Sequence, residues 1–96
     1  MKRIEIICDA TIEDEMKHSL HAIGDELYYT SISPVTGRGA KGPRQGDAVW
    51  PEQNTLFIIY SEVSALGEIR NAVYGIRERF PQNGIAAFAI ESAISW

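Results

Sequence analysis

The chain is predicted to form one α+β domain in which two helices lie on a single face of a four-stranded antiparallel sheet. Three observations carry this. Two stretches repeat apolar residues at helical spacing, four short stretches are rich in β-branched and aromatic residues, and the two kinds alternate as β-α-β-loop-β-α-β. That order is the split βαβ arrangement of ferredoxin-like folds.

The first stretch, Arg3 to Cys8, is isoleucine-rich, stops at Asp9 and reads as a strand. Thr11 is the expected N-cap of the first helix, with Asp14 three residues on. Ile12, Met16, Leu20 and Ile23 then recur on one side until Gly24 supplies a stop. A second strand is expected from Leu27 to Ser33, broken by Pro34 and the glycines beyond. Thr55 to Tyr60 is a continuous apolar strand, and from about Val63 to Phe80 the residues Leu66, Ile69, Val73, Ile76 and Phe80 step by threes and fours, the clearest helix in the chain. Pro81 ends it, Asn83-Gly84 turns the backbone, and Ile85 to Ile90 makes the last strand.

Right-handed crossovers put both helices on the same face of the sheet. The other face is then in question, because Leu56-Phe57-Ile58-Ile59-Tyr60 is apolar at both strand parities. A chain of 96 residues is also small for a stable monomer. Both points predict that sister subunits cover the open face. The net charge of −4 and the pI near 5.0 argue against nucleic acid or an anionic membrane as partner. The lone Cys8 allows no internal disulfide, and with neither a secretory leader pattern nor a membrane-spanning apolar run, a cytoplasmic location is expected.

The functional signal is the interruption between the second and third strands. Four of the eight glycines fall between Gly37 and Gly46, together with three of the nine basic residues, Arg38, Lys41 and Arg44. The loop, about 36–54, exceeds the roughly 12 to 15 residues beyond which an irregular connection calls for a functional or disorder explanation. Glycines allow backbone N–H groups to approach an anion, and arginine offers paired donors to phosphate or carboxylate oxygens. The spacing matches neither a P-loop nor a dinucleotide fingerprint, since no helix follows. A solvated surface loop is the plainer alternative.

The run Ser31-Ile32-Ser33-Pro34-Val35-Thr36-Gly37-Arg38-Gly39-Ala40-Lys41-Gly42 resembles the junction between strand two and the T-loop of PII signalling proteins, which typically reads Thr-Val-Thr-Glu-Val-Lys-Gly-Phe-Gly-Arg-Gln-Lys-Gly. The likeness extends through the element order to almost the whole chain. It implies a single 1–96 PII-like domain that assembles as a homotrimer with its sheets facing the threefold axis. Three clefts between subunits would bind a small anionic effector such as ATP, ADP or AMP. The T-loop would then report occupancy to a target, a membrane transporter or an enzyme. By the same resemblance, effector contacts fall on Gly37, Arg38, Gly39, Lys41, Gly42, Arg44 and Gln45, and Asn83 and Gly84 occupy the place of the family's B-loop. That B-loop reads Thr-Gly-x-x-Gly-Asp-Gly-Lys-Ile, whereas Phe80-Pro81-Gln82-Asn83-Gly84-Ile85 keeps at most one of its glycines and not its lysine.

Arg44 and Trp50 are candidate contacts for the target, Trp50 having the alternative of pinning the base of the loop. Copper-tolerance CutA proteins share the trimeric architecture, and a CutA-like metal-binding or metal-efflux accessory protein is the rival reading. His18 and His21, three apart, would be its ligands, yet on the polar side of a helix they read as solvated, so no metal is assigned. No Ser-His-Asp or Cys-His pattern suggests an enzyme. Strand three lacks the basic, glycine-containing start of an RNA-recognition strand.

Overall fold

A computed structural model describes residues 1–37 and 53–96 of the chain. The elements are β1 (Lys2–Asp9), α1 (Glu13–Ile23), β2 (Tyr29–Thr36), β3 (Gln53–Ser61), α2 (Leu66–Arg79) and β4 (Ile85–Ile90), with one 3-10 turn before each helix. The strands lie in the order β2-β3-β1-β4, every neighbouring pair antiparallel. This is the α+β, ferredoxin-like arrangement that the alternation of patterns predicts.

Strand parity builds the core. Ile4, Ile6 and Cys8 of β1 and Phe57 and Ile59 of β3 point to one face, where Met16 and Leu20 of α1 and Ile69, Val73 and Ile76 of α2 close over them. Each fully buried aliphatic or aromatic side chain contributes about 1.5 to 3 kcal/mol. Gly24 ends α1 at φ 157°, a backbone conformation that residues with a side chain rarely adopt. The acids Glu13, Asp14 and Glu15 in the first turn of α1, and Arg77 and Arg79 in the last turn of α2, match the dipoles of their helices.

Two elements differ from expectation. Pro34 does not end β2; the strand continues to Thr36 by taking one more residue than β3 between Ile32 and Val35, where pairing passes from Leu56 to Asn54. A proline is tolerated there because β2 is an edge strand and the extra residue sits at a bulge. The N-terminal cap of the first helical segment is Asp9, not Thr11: the aspartate accepts from the Thr11 backbone N–H at 3.0 Å.

Among the described residues no helix lies on the opposite face of the sheet. Its β3 row is Leu56, Ile58 and Tyr60, beside Ile7 on β1, Ile32 on β2 and Phe88 and Ile90 on β4. Ile32, Tyr60, Phe88 and Ile90 are 46%, 48%, 57% and 45% exposed. Amid this apolar surface Arg3 pairs with Glu5 at 2.9 Å and donates to the Tyr60 hydroxyl. No helix among the described residues is long and apolar enough to cross a membrane.

Burial together with the negative charges of Glu13 and Asp9 pushes the Cys8 thiol up to about 12, so it stays protonated. Alkylation by a thiol reagent should therefore be negligible in the native protein and complete after unfolding. Leu20→Ala, which removes a fully buried side chain between helix and sheet, should cost about 2 to 5 kcal/mol in urea unfolding.

Candidate functional site

The strand register collects the predicted loop base and the α2-β4 turn at one end of the sheet. Thr36 pairs with Gln53 and Val35 with Asn54; Asn54 in turn faces Asp9, the last residue of β1. The Asp9 backbone N–H donates to the Gly84 carbonyl at 3.0 Å. Gly37, Asn54, Asp9 and Asn83-Gly84 thus succeed one another across this end. Gly37 and Gly84 adjoin opposite edge strands, three strand spacings or about 14 Å apart.

Two hydrogen-bonded clasps hold this end. In the first, Asp9 Oδ1 accepts from both the backbone N–H and the hydroxyl of Thr11 at 3.0 Å, and Asp9 Oδ2 accepts from Asn83 Nδ2 at 3.3 Å. Asn83 Nδ2 also donates to Thr11 Oγ1 at 2.9 Å. The amide of Asn83 is thereby committed to fastening the α2-β4 turn onto the end of β1. In the second, the buried Thr55 hydroxyl donates to Glu13 Oε1 at 2.8 Å and lies 3.1 Å from Ser33 Oγ. A hydroxyl has one proton, so Thr55 accepts from Ser33. This chain ties the first turn of α1 to β3 and to the bulge of β2, four residues before Gly37.

The Thr55 hydrogen bond, helped by the charge of Lys17 at 3.6 Å, outweighs partial burial and holds the Glu13 carboxyl below its ordinary range. A lowered folded value means stability that is present above the unfolded pKa, near 4.3, and is lost as pH falls through the folded one.

Of the predicted effector residues, Gly37, Asn83 and Gly84 are described. Among the described residues a Cβ at Gly37 or Gly84 would meet nothing within 4 Å, so their packing demands neither glycine. Asn83 and Gly84 lie at the expected end of the sheet, and the bonds they make there are to Asp9 and Thr11. Arg38, Gly39, Lys41, Gly42, Arg44, Gln45 and Trp50 fall outside the described residues. His18 is exposed, and His21 Nε2 lies 2.9 Å from the Tyr29 hydroxyl with the two rings stacked. Asp9, Glu13 and Thr55 are structural members of the site that sequence reasoning did not select. Thr55 carries a readable signal, a polar residue at the inward parity of an apolar strand. Pairing Asp9 with Asn83 needs the sheet order, which spacing alone does not supply.

No protein-family model matches the chain, and no curated protein matches it. Solved structures do. CPII, a nitrogen regulatory PII-like protein from Thiomonas intermedia K12 bound to ADP, AMP and bicarbonate, superposes with a TM-score of 0.67 at 17% identity, over 93% of this chain and 84% of that one. Its apo form superposes at 0.62 and 15% identity, over 93% and 87%. A PII-like signalling protein from Thermus thermophilus reaches 0.57 at 25% identity, over 93% and 83%. The chain therefore has the fold of the PII-like proteins, as the resemblance at the end of strand two implies.

Thr55→Val keeps shape and removes the hydroxyl, so it should cost about 1.5 kcal/mol at neutral pH. In urea titrations that deficit should shrink as pH falls below the ordinary carboxylate range and Glu13 takes up its proton. Asn83→Ala should leave global unfolding within about 1 kcal/mol of the parent while speeding hydrogen exchange of the Asp9 and Thr11 amides.

Proposed function

We propose that the protein is a non-enzymatic, PII-like signal-transduction protein that binds a small anionic effector in clefts between the subunits of a homotrimer. The observation that carries this reading is the superposition on CPII, whose structures hold ADP, AMP and bicarbonate. An adenine nucleotide, ATP, ADP or AMP, is the leading effector class, and a small carboxylate-like anion the next.

Three features of this chain support the reading. The helix-free face of the sheet is apolar over all four strands, which suits burial against sister subunits. Arg38, Lys41 and Arg44 make the Gly37–Gly46 run cationic in a chain of net charge −4, so electrostatics would draw an anion to it. The clasp around Glu13 ties together Ser33 and Thr55, on the two strands from which the loop departs. Effector binding would then order residues of the 36–54 loop, with Arg44 and Trp50 presenting to a cytoplasmic target or the inner side of a transporter. The reaction is binding alone; no bond is made or broken.

In a thermal-shift panel of ATP, ADP, AMP, bicarbonate, Zn²⁺ and Cu²⁺, the true ligand raises the midpoint by mass action, about 2.7 kcal/mol at a hundred times Kd. A nucleotide response lost in Arg38→Ala and Lys41→Ala is expected. A response to metal only would replace this reading with the CutA-like one. Ile58→Asp places a charge in the open face and should convert trimer to monomer in light scattering; a wild-type protein that is already monomeric would refute the intersubunit cleft.

A further inference from the structure

Of the chain's three asparagines, Asn54 precedes Thr55, Asn71 precedes Ala72 and Asn83 precedes Gly84. The neighbour matters because the backbone nitrogen of the next residue can attack an asparagine side chain at Cγ. A glycine there has no Cβ to shield its nitrogen. The fold keeps that nitrogen open: Gly84 is exposed, a Cβ built on it meets nothing within 4 Å among the described residues, and its N–H donates no hydrogen bond among them. Asn54 and Asn71 instead lie inside β3 and α2, where ladder and helix bonds fix the backbone.

The Asn83 side chain is half-buried and held, its Nδ2 donating to Asp9 Oδ2 at 3.3 Å and to Thr11 Oγ1 at 2.9 Å. Ring closure onto Gly84 requires the side chain to swing out of both bonds, so it waits on opening of the clasp. The same clasp makes the product consequential. An aspartate at position 83 has no N–H to give, and the single Thr11 hydroxyl proton already goes to Asp9 Oδ1. Two donated bonds would be replaced by a carboxylate facing the carboxylate of Asp9, and like charges so close repel.

We propose that Asn83-Gly84 is a self-modification site, at which the Gly84 nitrogen displaces the Asn83 side-chain amide at a rate set by the clasp with Asp9 and Thr11. Hydroxide or water removes the Gly84 N–H proton, the bond from Gly84 nitrogen to Asn83 Cγ forms, and the Cγ–Nδ2 bond breaks. Nδ2 takes a proton from water and leaves as ammonia. Water then opens the succinimide: cleavage at Cγ leaves aspartate, and cleavage at the Asn83 backbone carbonyl leaves isoaspartate. In sum water enters and ammonia leaves, with no change of oxidation state. Either product unfastens the α2-β4 turn from the end of β1. Isoaspartate also lengthens the main chain just before the Gly84 carbonyl, which accepts from the Asp9 N–H at 3.0 Å. The step needs only this chain and water, so it stands apart from the effector reading.

The test incubates the full chain in mildly alkaline buffer, folded and in urea, and follows tryptic digests by mass spectrometry against a zero-time digest. The tryptic peptide from Phe80 to Trp96 carries Asn83 as its one asparagine. That peptide should gain the mass of an amide-to-acid exchange in the folded protein, several-fold more slowly than in urea, while the peptides holding Asn54 and Asn71 stay unchanged. Gly84→Ala, whose Cβ has room, should slow conversion several-fold in both states. Thr11→Val should speed the folded rate several-fold and leave the urea rate unaltered. Asn83→Asp, a purified stand-in for one product, should lower hydrogen-exchange protection of the Asp9 amide further than Asn83→Ala does. No conversion of the folded chain by the time the urea sample is fully converted would overturn the proposal. So would equal folded and urea rates, a folded rate indifferent to Thr11→Val, or equal protection in the two Asn83 variants.

Discussion

The central strand β3 has to be buried twice. Phe57 and Ile59 enter the core under the helices, while Leu56 and Ile58, at the opposite parity, face the side that no helix among the described residues covers. Because successive side chains of a strand alternate strictly, no shift of the chain can hide both sets behind two helices. Every other strand adds to the imbalance: Ile7, Ile32, Phe88 and Ile90 are aligned with the same open face by the register. The Arg3, Glu5 and Tyr60 cluster within it pairs its own polar groups side by side in an otherwise apolar surface. A core on one face and an exposed apolar surface on the other follow from one apolar run.

The same sheet order determines what can be rigid at the loop end. Asp9 and Asn83 are 74 residues apart in sequence, yet adjacent strands bring them within hydrogen-bond reach. Thr55, Glu13 and Ser33 come from three elements and meet for the same reason. The members of both clasps lie among the residues up to Thr36 and from Gln53 onward. The stability of these strands is a term separate from the ordering of whatever chain connects them.

Much of this was legible in the chain. The three-four spacing from Leu66 to Ile76 marks α2, and the two-sided apolar run marks both the sheet and its uncovered face. What spacing could not show are the contacts that depend on strand order. Asp9 caps its own turn because the chain bends there to meet Gly84, a fact invisible until β1 and β4 are side by side. Pro34 reads as a terminator in one dimension, and becomes acceptable only once β2 is known to be an edge with a bulge. Gly37 follows β2 and Gly84 precedes β4, and among the described residues nothing packs close enough to either to require a glycine. Expectations for Arg38 through Trp50 concern residues outside the described ones.

The extra residue of β2 between Ile32 and Val35 has an evolutionary corollary. It sets which face Val35 and Thr36 present, and Thr36 opposite Gln53 closes the ladder. One residue gained or lost before Thr36 would turn the end of the strand over, whereas one gained or lost between Gly37 and Gln53 would leave every side chain of the sheet facing as it does now. Descent can therefore rewrite the loop in length and chemistry while the stem stays in register. Two chains of this architecture can share 17% identity over 93% of one of them and still superpose.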